Sequence, residues 1–435
     1  MLGSNSLPRG SRLESHSRND YELIAIKFRV DTWGAWEMQH AKRSLSPTPI
    51  CPTSSPYGRA YRVSFIYLGT AIAFGRWVSE LAQCGQSMRG IDCSFIVAAD
   101  RPLSSELTHA GIRTLQITAV ESLNPVSLAL NFLRARRSIL AFLEKEQPDL
   151  VVTLMPHVWT PLLTRAMRQR CRAYTTIVHD AVAHPGDRTG WLTQWLLYDG
   201  SFADSIIVLS RSVSEELARK RLMRGRKIVQ LFHPDLSDAA QPRRRVRGDG
   251  PLRLLFFGRI LPYKGLPLLT EAVELLKAEG VDIALGVAGA GEISPPLRHQ
   301  LAALGAEVIN RWIMDAETSE LLTRYDAMAC SHIEASQSGV AALAFGAAMP
   351  VVATPIGGLA EQVVPGETGV LATDISPRAF ANAIRQLATA PSLYDRISQH
   401  LDETRQDRSM ERFLADLVDR QLDRHRAESY RGFQQ

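Results

Sequence analysis

Residues 335–363 read ASQSGVAALAFGAAMPVVATPIGGLAEQV, directly after the short apolar run AMACS at 327–331. The small residues from Ala341 to Ala348 suit a helix pressed close against a sheet, and PVVAT is a brief all-apolar strand that runs into a Gly357-Gly358 turn. Strand, close-packed helix, strand and glycine turn make one unit of a parallel sheet covered on both faces. Ser336-Gln337-Ser338-Gly339 opens the helix at the carboxyl end of the AMACS strand. A helix start presents free N–H groups and the positive end of its dipole, which favours phosphate. Close packing explains Ala341 to Ala348 but explains Ser-Gln-Ser-Gly poorly.

The same alternation extends in both directions. Downstream of residue 251 the chain offers LRLLFFGR, a helix over 266–279, IALGVAG, AEVINRW, a helix over 317–325, AMACS, PVVAT and GVLAT. Upstream, YRVSFIYLG starts a second series. A helix carrying Phe74, Trp77, Val78 and Leu81 follows it, then CSFIVAAD, the helix LNFLRARRSILAFLEKEQ, PDLVVTLMPH, YTTIVHD, ADSIIVLS and the helix SVSEELARKRL. The expected class is α/β, with two Rossmann-like doubly wound domains facing across a cleft. The expected divisions are a poorly ordered extension over 1–60, an acceptor-side domain over 61–236, a linker over 237–251 (SDAAQPRRRVRGDGP) and a nucleotide-sugar-binding domain over 252–408. A last helix and tail occupy 409–435. That helix places Met410, Phe413, Leu414, Leu417, Val418 and Leu422 on one stripe, which some apolar surface must receive.

Composition narrows the classes. The 435 residues are 45% hydrophobic and 22% charged, ordinary for a globular protein and too many residues for one core. Five scattered cysteines without Cys-x-x-Cys spacing fit reduced thiols better than a disulfide framework or a zinc site. No stretch is apolar enough to span a bilayer, and the first residues lack the apolar core of a secretory signal, so a cytoplasmic protein is expected. The net charge of +5 is clustered at Arg134, Arg136 and Arg137, at 165–172, and at 219–227. Such patches suit a phosphorylated substrate or an anionic membrane face, or are solvated helix faces; nucleic acid is not expected, since no nucleic-acid motif accompanies them.

The residues with chemistry lie at strand ends. Arg259 and Lys264 share the loop after LRLLFF, where a fork and a point charge suit a diphosphate, although surface loop charge is the plainer reading. Gly289 and Gly291 in VAGAGE lack the spacing and downstream acid of a dinucleotide fingerprint, which argues against an NAD-dependent enzyme. His179 and Asp180 close the YTTIVHD strand. A histidine there can orient or polarise a hydroxyl. No Asp-x-Asp occurs, so no carboxylate pair is at hand to hold a bridging cation against a diphosphate.

The ordered set FGR…KG, G-x-G, YDAMACS, SQSGV, PVVAT-x-x-GGL-x-E and G-x-x-GVL, from about Leu252 to Leu387, resembles glycosyltransferase family 4, retaining enzymes of the GT-B fold. The resemblance implies that Arg259 and Lys264 hold the donor diphosphate. It implies that Gly357, Gly358 and Leu359 give backbone contacts to the donor, with Glu361 in the following turn. His179, with Asp180 beside it, would face the sugar across the cleft. Many members carry two glutamates eight residues apart, and those positions fall here on Ala335 and Leu343. Gln337, Ser338 and Gly339 would then meet sugar hydroxyls or phosphate instead. The expected function is transfer of a sugar from an NDP-sugar to a lipid-linked or polysaccharide (oligosaccharide) acceptor, with retention and with no cofactor or metal required. A peripheral place at the inner face of the cell membrane fits that acceptor. A sugar-nucleotide epimerase and a non-catalytic GT-B subunit are the alternatives; the missing glutamates favour the latter.

Overall fold

The computed structural model describes residues 59–69, 72–99, 102–118, 125–182, 190–236, 245–248 and 250–432. The extension expected over 1–60 lies outside them but for its last two residues, as do 237–244 and 249 of the expected linker.

The first sheet is built from β1 (Tyr61–Tyr67), β2 (Ile91–Ala98), β3 (Thr114–Ile117), β4 (Leu150–Met155), β5 (Ala173–Val178), β6 (Ser205–Val208) and β7 (Ile228–Gln230), in the order β3-β2-β1-β4-β5-β6-β7. All its pairings are parallel. The inner strands are buried almost throughout, which is why they read as unbroken apolar runs. On one face lie α1 (Ile72–Ser87) and α2 (Pro102–His109); on the other lie α3 (Pro125–Glu146), α4 (Thr160–Arg168), α5 (Gly190–Leu197) and α6 (Arg211–Arg219). The expected helix over 212–222 stops at Arg219, because Lys220 turns to an extended conformation (φ −77°, ψ 128°).

The second sheet repeats the plan. It comprises β8 (Leu252–Phe257), β9 (Ile283–Ala288), β10 (Glu307–Ile309), β11 (Ala327–Cys330), β12 (Val351–Ala353) and β13 (Gly369–Leu371), in the order β10-β9-β8-β11-β12-β13. Its helices are α7 (Leu266–Ala278), α8 (Pro295–Ala303), α9 (Asp315–Arg324), α10 (Gly339–Gly346), α11 (Gly357–Gln362), α12 (Pro377–Thr389) and α13 (Pro391–Glu403). All its pairings are parallel, and the order in which strands are added reverses between β8 and β11. The loops leaving those two strands diverge to opposite faces and open a crevice, where α/β sheets take their ligands.

A long helix, α14 (Met410–Gly432), ends the described chain. Its apolar stripe does not return to the second sheet. It packs on α1 of the first, with Phe413 edge-on to Trp77 at 5.4 Å and to Phe232 at 6.0 Å. Gln421, 1% exposed, reaches the strands themselves and donates to Ser205 Oγ at 3.0 Å. The chain thus crosses between the sheets twice, and the crossings are tied together. Asp235 N–H donates to the Arg408 carbonyl at 2.8 Å, and Arg408 Nε donates to the Asp235 carboxylate at 2.8 Å. Burial pushes the Asp235 carboxyl up to about 7 against the pull of Arg408.

Within the expected linker, Arg245 is buried rather than solvated. Its guanidinium donates to the carbonyls of Ala347 at 2.7 Å and Tyr325 at 3.0 Å. The four described cysteines, Cys84, Cys93, Cys171 and Cys330, are unpaired. Among the described residues no helix is long and apolar enough to cross a membrane.

Phe413 is fully buried between two aromatic rings from the first domain. Phe413→Ala is expected to lower stability by about 3–5 kcal/mol, read from chemical denaturation. A loss under 1 kcal/mol would mean that α14 is only loosely seated.

Candidate functional site

Three loops of the second sheet meet at the crevice. After β8, Lys264 ends a short turn whose carbonyl accepts from Ser331 Oγ at 3.0 Å, and Ile333 N–H donates to the Tyr263 carbonyl at 2.8 Å. The loop with the two cations is thereby bound to the segment that leads into α10. The glycine pair after β12 closes against the same segment. Gly357 has φ +47°, and a Cβ there would overlap the Ala335 carbonyl; a Cβ on Gly358 would overlap the Ser336 carbonyl. Only glycine lets these backbones lie so close. The Gly-x-Gly loop after β9 lies along the first loop, with Gly258 N–H donating to Ala288 O at 3.0 Å and Ile260 N–H to Ala290 O at 2.8 Å.

Lys264 is 9% exposed. Its ammonium has no carboxylate and no hydrogen-bond acceptor among the described residues; Tyr263 lies 5.9 Å off as a ring contact. Burial pulls its pKa down to about 8, and the neighbouring Arg259 pulls the same way while Cys330 opposes. Arg259 is exposed and likewise has no ion-pair partner among the described residues. The position of a Cβ on Gly258 lies 3.9 Å from Lys264 Nζ and 3.4 Å from the Val340 side chain, so the cation and the first turn of α10 converge there.

At that helix start Ser338 is the N-cap: its hydroxyl accepts from Ala341 N–H at 3.2 Å. Gln362 clamps the backbone of Ser338 from both sides, accepting from its N–H at 2.6 Å and donating to its carbonyl at 3.3 Å. The N–H groups of Gly339 and Val340 have no acceptor among the described residues. The Ser338 side chain therefore shapes the turn, and the open donors are backbone ones.

Gln337 reaches across to the first domain. Its Nε2 donates to His179 Nδ1 at 3.3 Å, while His179 Nε2 donates to the Leu154 carbonyl at 2.9 Å. Those two bonds require the neutral imidazole protonated on Nε2, and burial depresses the His179 pKa accordingly. Phe74 meets the ring edge-on at 4.9 Å. The Oε1 atom of Gln337 is buried and has no partner among the described residues. Asp180, next along, is exposed and acts on His179 through its charge.

Other sites fall elsewhere. Leu359 is fully buried in the core, which leaves only its backbone for a ligand. The Glu361 carboxylate accepts from the backbone N–H groups of Arg211 at 2.7 Å and Ser212 at 2.8 Å, and so caps α6 of the first domain. Ala335 and Leu343 are 9% and 5% exposed, both part of the core, the latter on α10. Nothing in the sequence singles out His233, yet its Nε2 lies 3.9 Å from the position of a Cβ on Gly339, beside the open amides. Its Nδ1 is bonded to the Pro234 carbonyl at 2.9 Å, and burial, with His179 nearby, holds its pKa down at about 4. No group of three or more metal-ligating side chains occurs among the described residues.

Residues 75–231 match the model of Glycosyltransferase Family 4, and residues 251–390 match that of Glycosyl transferases group 1. The D-inositol 3-phosphate glycosyltransferase of Corynebacterium glutamicum is 34% identical over 171 residues, 37% of this chain and 41% of that relative. The chain thus spans less than half the length of that curated relative. Among solved structures, a glycosyltransferase from Rickettsia africae superposes with a TM-score of 0.64 at 17% identity, over 83% of this chain and 97% of its own. HepE of Anabaena, solved with UDP and glucose, gives 0.62 at 15%, over 83% and 99%. With a glycosyltransferase model matched on each of its two sheets and this fold around the crevice, the chain belongs to glycosyltransferase family 4, on the GT-B architecture.

Proposed function

We propose that this protein transfers a hexosyl or related sugar from an NDP-sugar to a lipid-linked or polysaccharide acceptor, with retention of configuration and without a required metal. The observation that carries the reading is Lys264: a buried ammonium with no counter-charge, beside Arg259 and two open amides of α10. A cation is desolvated at this cost only where an anion completes the site. A diphosphate has the charge, and HepE, solved with UDP and glucose, is in line with that donor class.

On this reading the bond from the anomeric carbon to the diphosphate breaks while the acceptor hydroxyl attacks from the same face and gives up its proton to the departing diphosphate. Charge grows on the leaving oxygen, where Lys264, Arg259 and the Gly339 and Val340 N–H groups oppose it. His179 is neutral and pinned, so it orients a sugar hydroxyl through Nδ1 and carries no charge. A donor hydroxyl would replace the Gln337 amide there, and Gln337 Oε1 offers a second contact. The acceptor would be met at the cytoplasmic, anionic face of a membrane. The positions Ala335 and Leu343 favour a second reading, a non-catalytic subunit that binds the donor alone; release of NDP in the presence of acceptor separates the two.

Arg259→Ala and Lys264→Ala should each weaken NDP binding by about 1.5–3 kcal/mol and lower turnover too. His179→Ala should spare NDP binding and reduce transfer, and EDTA should leave turnover largely intact. Calorimetry with NDP and a transfer assay over a panel of nucleotide-sugars read these outcomes. Normal NDP binding by both cation variants would place the donor elsewhere.

Lys264 also gives a pH signature. Below about pH 8 it is charged in both the folded and the unfolded chain, so the whole desolvation cost opposes folding. Between about 8 and its ordinary 10.5 the folded chain has lost a proton that the unfolded chain keeps, and stability rises with pH across that window. Lys264→Met should therefore raise the stability of the ligand-free protein at pH 7 by roughly 1–3 kcal/mol while weakening NDP binding. NDP affinity of the native protein should fall as pH passes 8. A variant that is both less stable and unchanged in NDP affinity would show a lysine with only a packing role.

A further inference from the structure

Helices α3, α4 and α5 lie side by side on one face of the first sheet, the inner residues of α3 and α4 packed with Ile66, Ile96 and Val151 and Leu197 of α5 with Val178 and Ile206. Outer faces that met only water would be polar. On α3, however, Val126, Leu130 and Leu133 recur at helical spacing with 68%, 48% and 57% of their surface exposed, and Leu162 of α4 adds 54%. At the end of α5 and just beyond it the patch turns aromatic: Trp195, Tyr198 and Phe202 are 37%, 42% and 39% exposed. The rings of Trp195 and Tyr198 stack in parallel at 6.2 Å, Phe202 stands edge-on to Tyr198 at 5.5 Å, and Trp195 Nε1 is fixed to the Val158 carbonyl at 2.9 Å. In a parallel sheet each of these helices starts where a strand has ended. The aliphatic residues, all in the first halves of α3 and α4, therefore sit toward the crevice end of the sheet.

Cations border this patch. Arg134, Arg136 and Arg137 continue α3, and Arg165 follows Leu162 on α4. Arg221 and Arg226 line a concavity of about 600 Å³ together with Tyr198 and Phe202. None of these arginines has an ion-pair partner among the described residues. Their neighbours in sequence differ: Arg168 is paired with Asp204, Arg170 with Glu144 and Arg172 with Asp149. The fold uses the second set and leaves the first set bare around an apolar patch.

We propose that this face docks on the surface of an anionic lipid bilayer, the aliphatic residues entering the acyl boundary, the aromatic rings at headgroup level and the bare arginines on the lipid charge. An acidic protein surface would answer the cations but not the exposed leucines; a bilayer supplies both layers at the depths where such side chains settle. The proposal deepens the membrane-face part of the proposed function and rests on that reading for its purpose, since docking would bring the crevice to a lipid-linked acceptor.

The test is co-sedimentation of the full chain with vesicles of phosphatidylcholine containing phosphatidylglycerol, or of phosphatidylcholine alone, with NDP calorimetry on the same samples. Binding is expected on the anionic vesicles, weaker at high salt, and little on the neutral ones. The triple variant R134Q/R136Q/R137Q should lower partition on the order of a hundredfold, and L130S/L133S about tenfold, both with unaltered unfolding midpoints and NDP affinity. Absence of vesicle binding, equal binding to both vesicle types, or variants that bind as the native chain does would overturn the docking surface. NDP binding without vesicle binding overturns this proposal alone, and vesicle binding without NDP binding overturns the donor reading alone.

Discussion

A nearly buried lysine with no counter-charge is the constraint around which the second domain is arranged. Lys264 could be relieved by turning outward, but its turn is bonded to Ser331 and Ile333, and those residues lead directly into the Ser336–Gly339 loop. That loop is in turn held by Gln362 and by the Gly357-Gly358 backbone. The strain of a desolvated ammonium is thus kept in place by many ordinary hydrogen bonds, which is how a site can be preorganised for charge that arrives only with its ligand.

The same loops are what the two domains touch. Gln337 bonds to His179, and Glu361 caps α6, so two of the contacts across the crevice start close in sequence to the Gly357-Gly358 turn and the start of α10. A ligand that engages Gln337 or His179 competes with a bond that joins the domains. Binding and domain position are therefore linked through differential contacts, the form in which such coupling is energetically meaningful.

How legible this was depends on the range of the interactions. The inner strands β1, β4 and β5 are buried on both faces, and their apolar runs announce them. The edge strand β7 and the strand β3, with patterns of mixed exposure, carry no such run, and they escape a reading by pattern. Helices α8, α12 and α13 each begin at a Pro, and α4 carries one at its second residue, a signal that reads first as a turn. Arg259, Lys264 and the Ser-Gln-Ser-Gly loop could be found because each sits at the end of a readable strand. His233 could not, since its nearness to Gly339 spans more than a hundred positions of sequence. For the same reason the cap that Glu361 gives to α6 and the burial of Arg245 follow only from the assembled fold.

The seat of α14 bears on how the chain is made. The last strand of the first sheet ends at Gln230, but the aromatic surface around Trp77 that receives Phe413 stays bare until the second domain has been synthesised in full. Domains emerging from the ribosome ordinarily fold in order, the first before the second. Here the second sheet has all its strands by Leu371, before α14 exists to cover the first. The nascent protein must carry an open apolar face while the whole of the second sheet is made, so its first domain is completed only when α14 emerges.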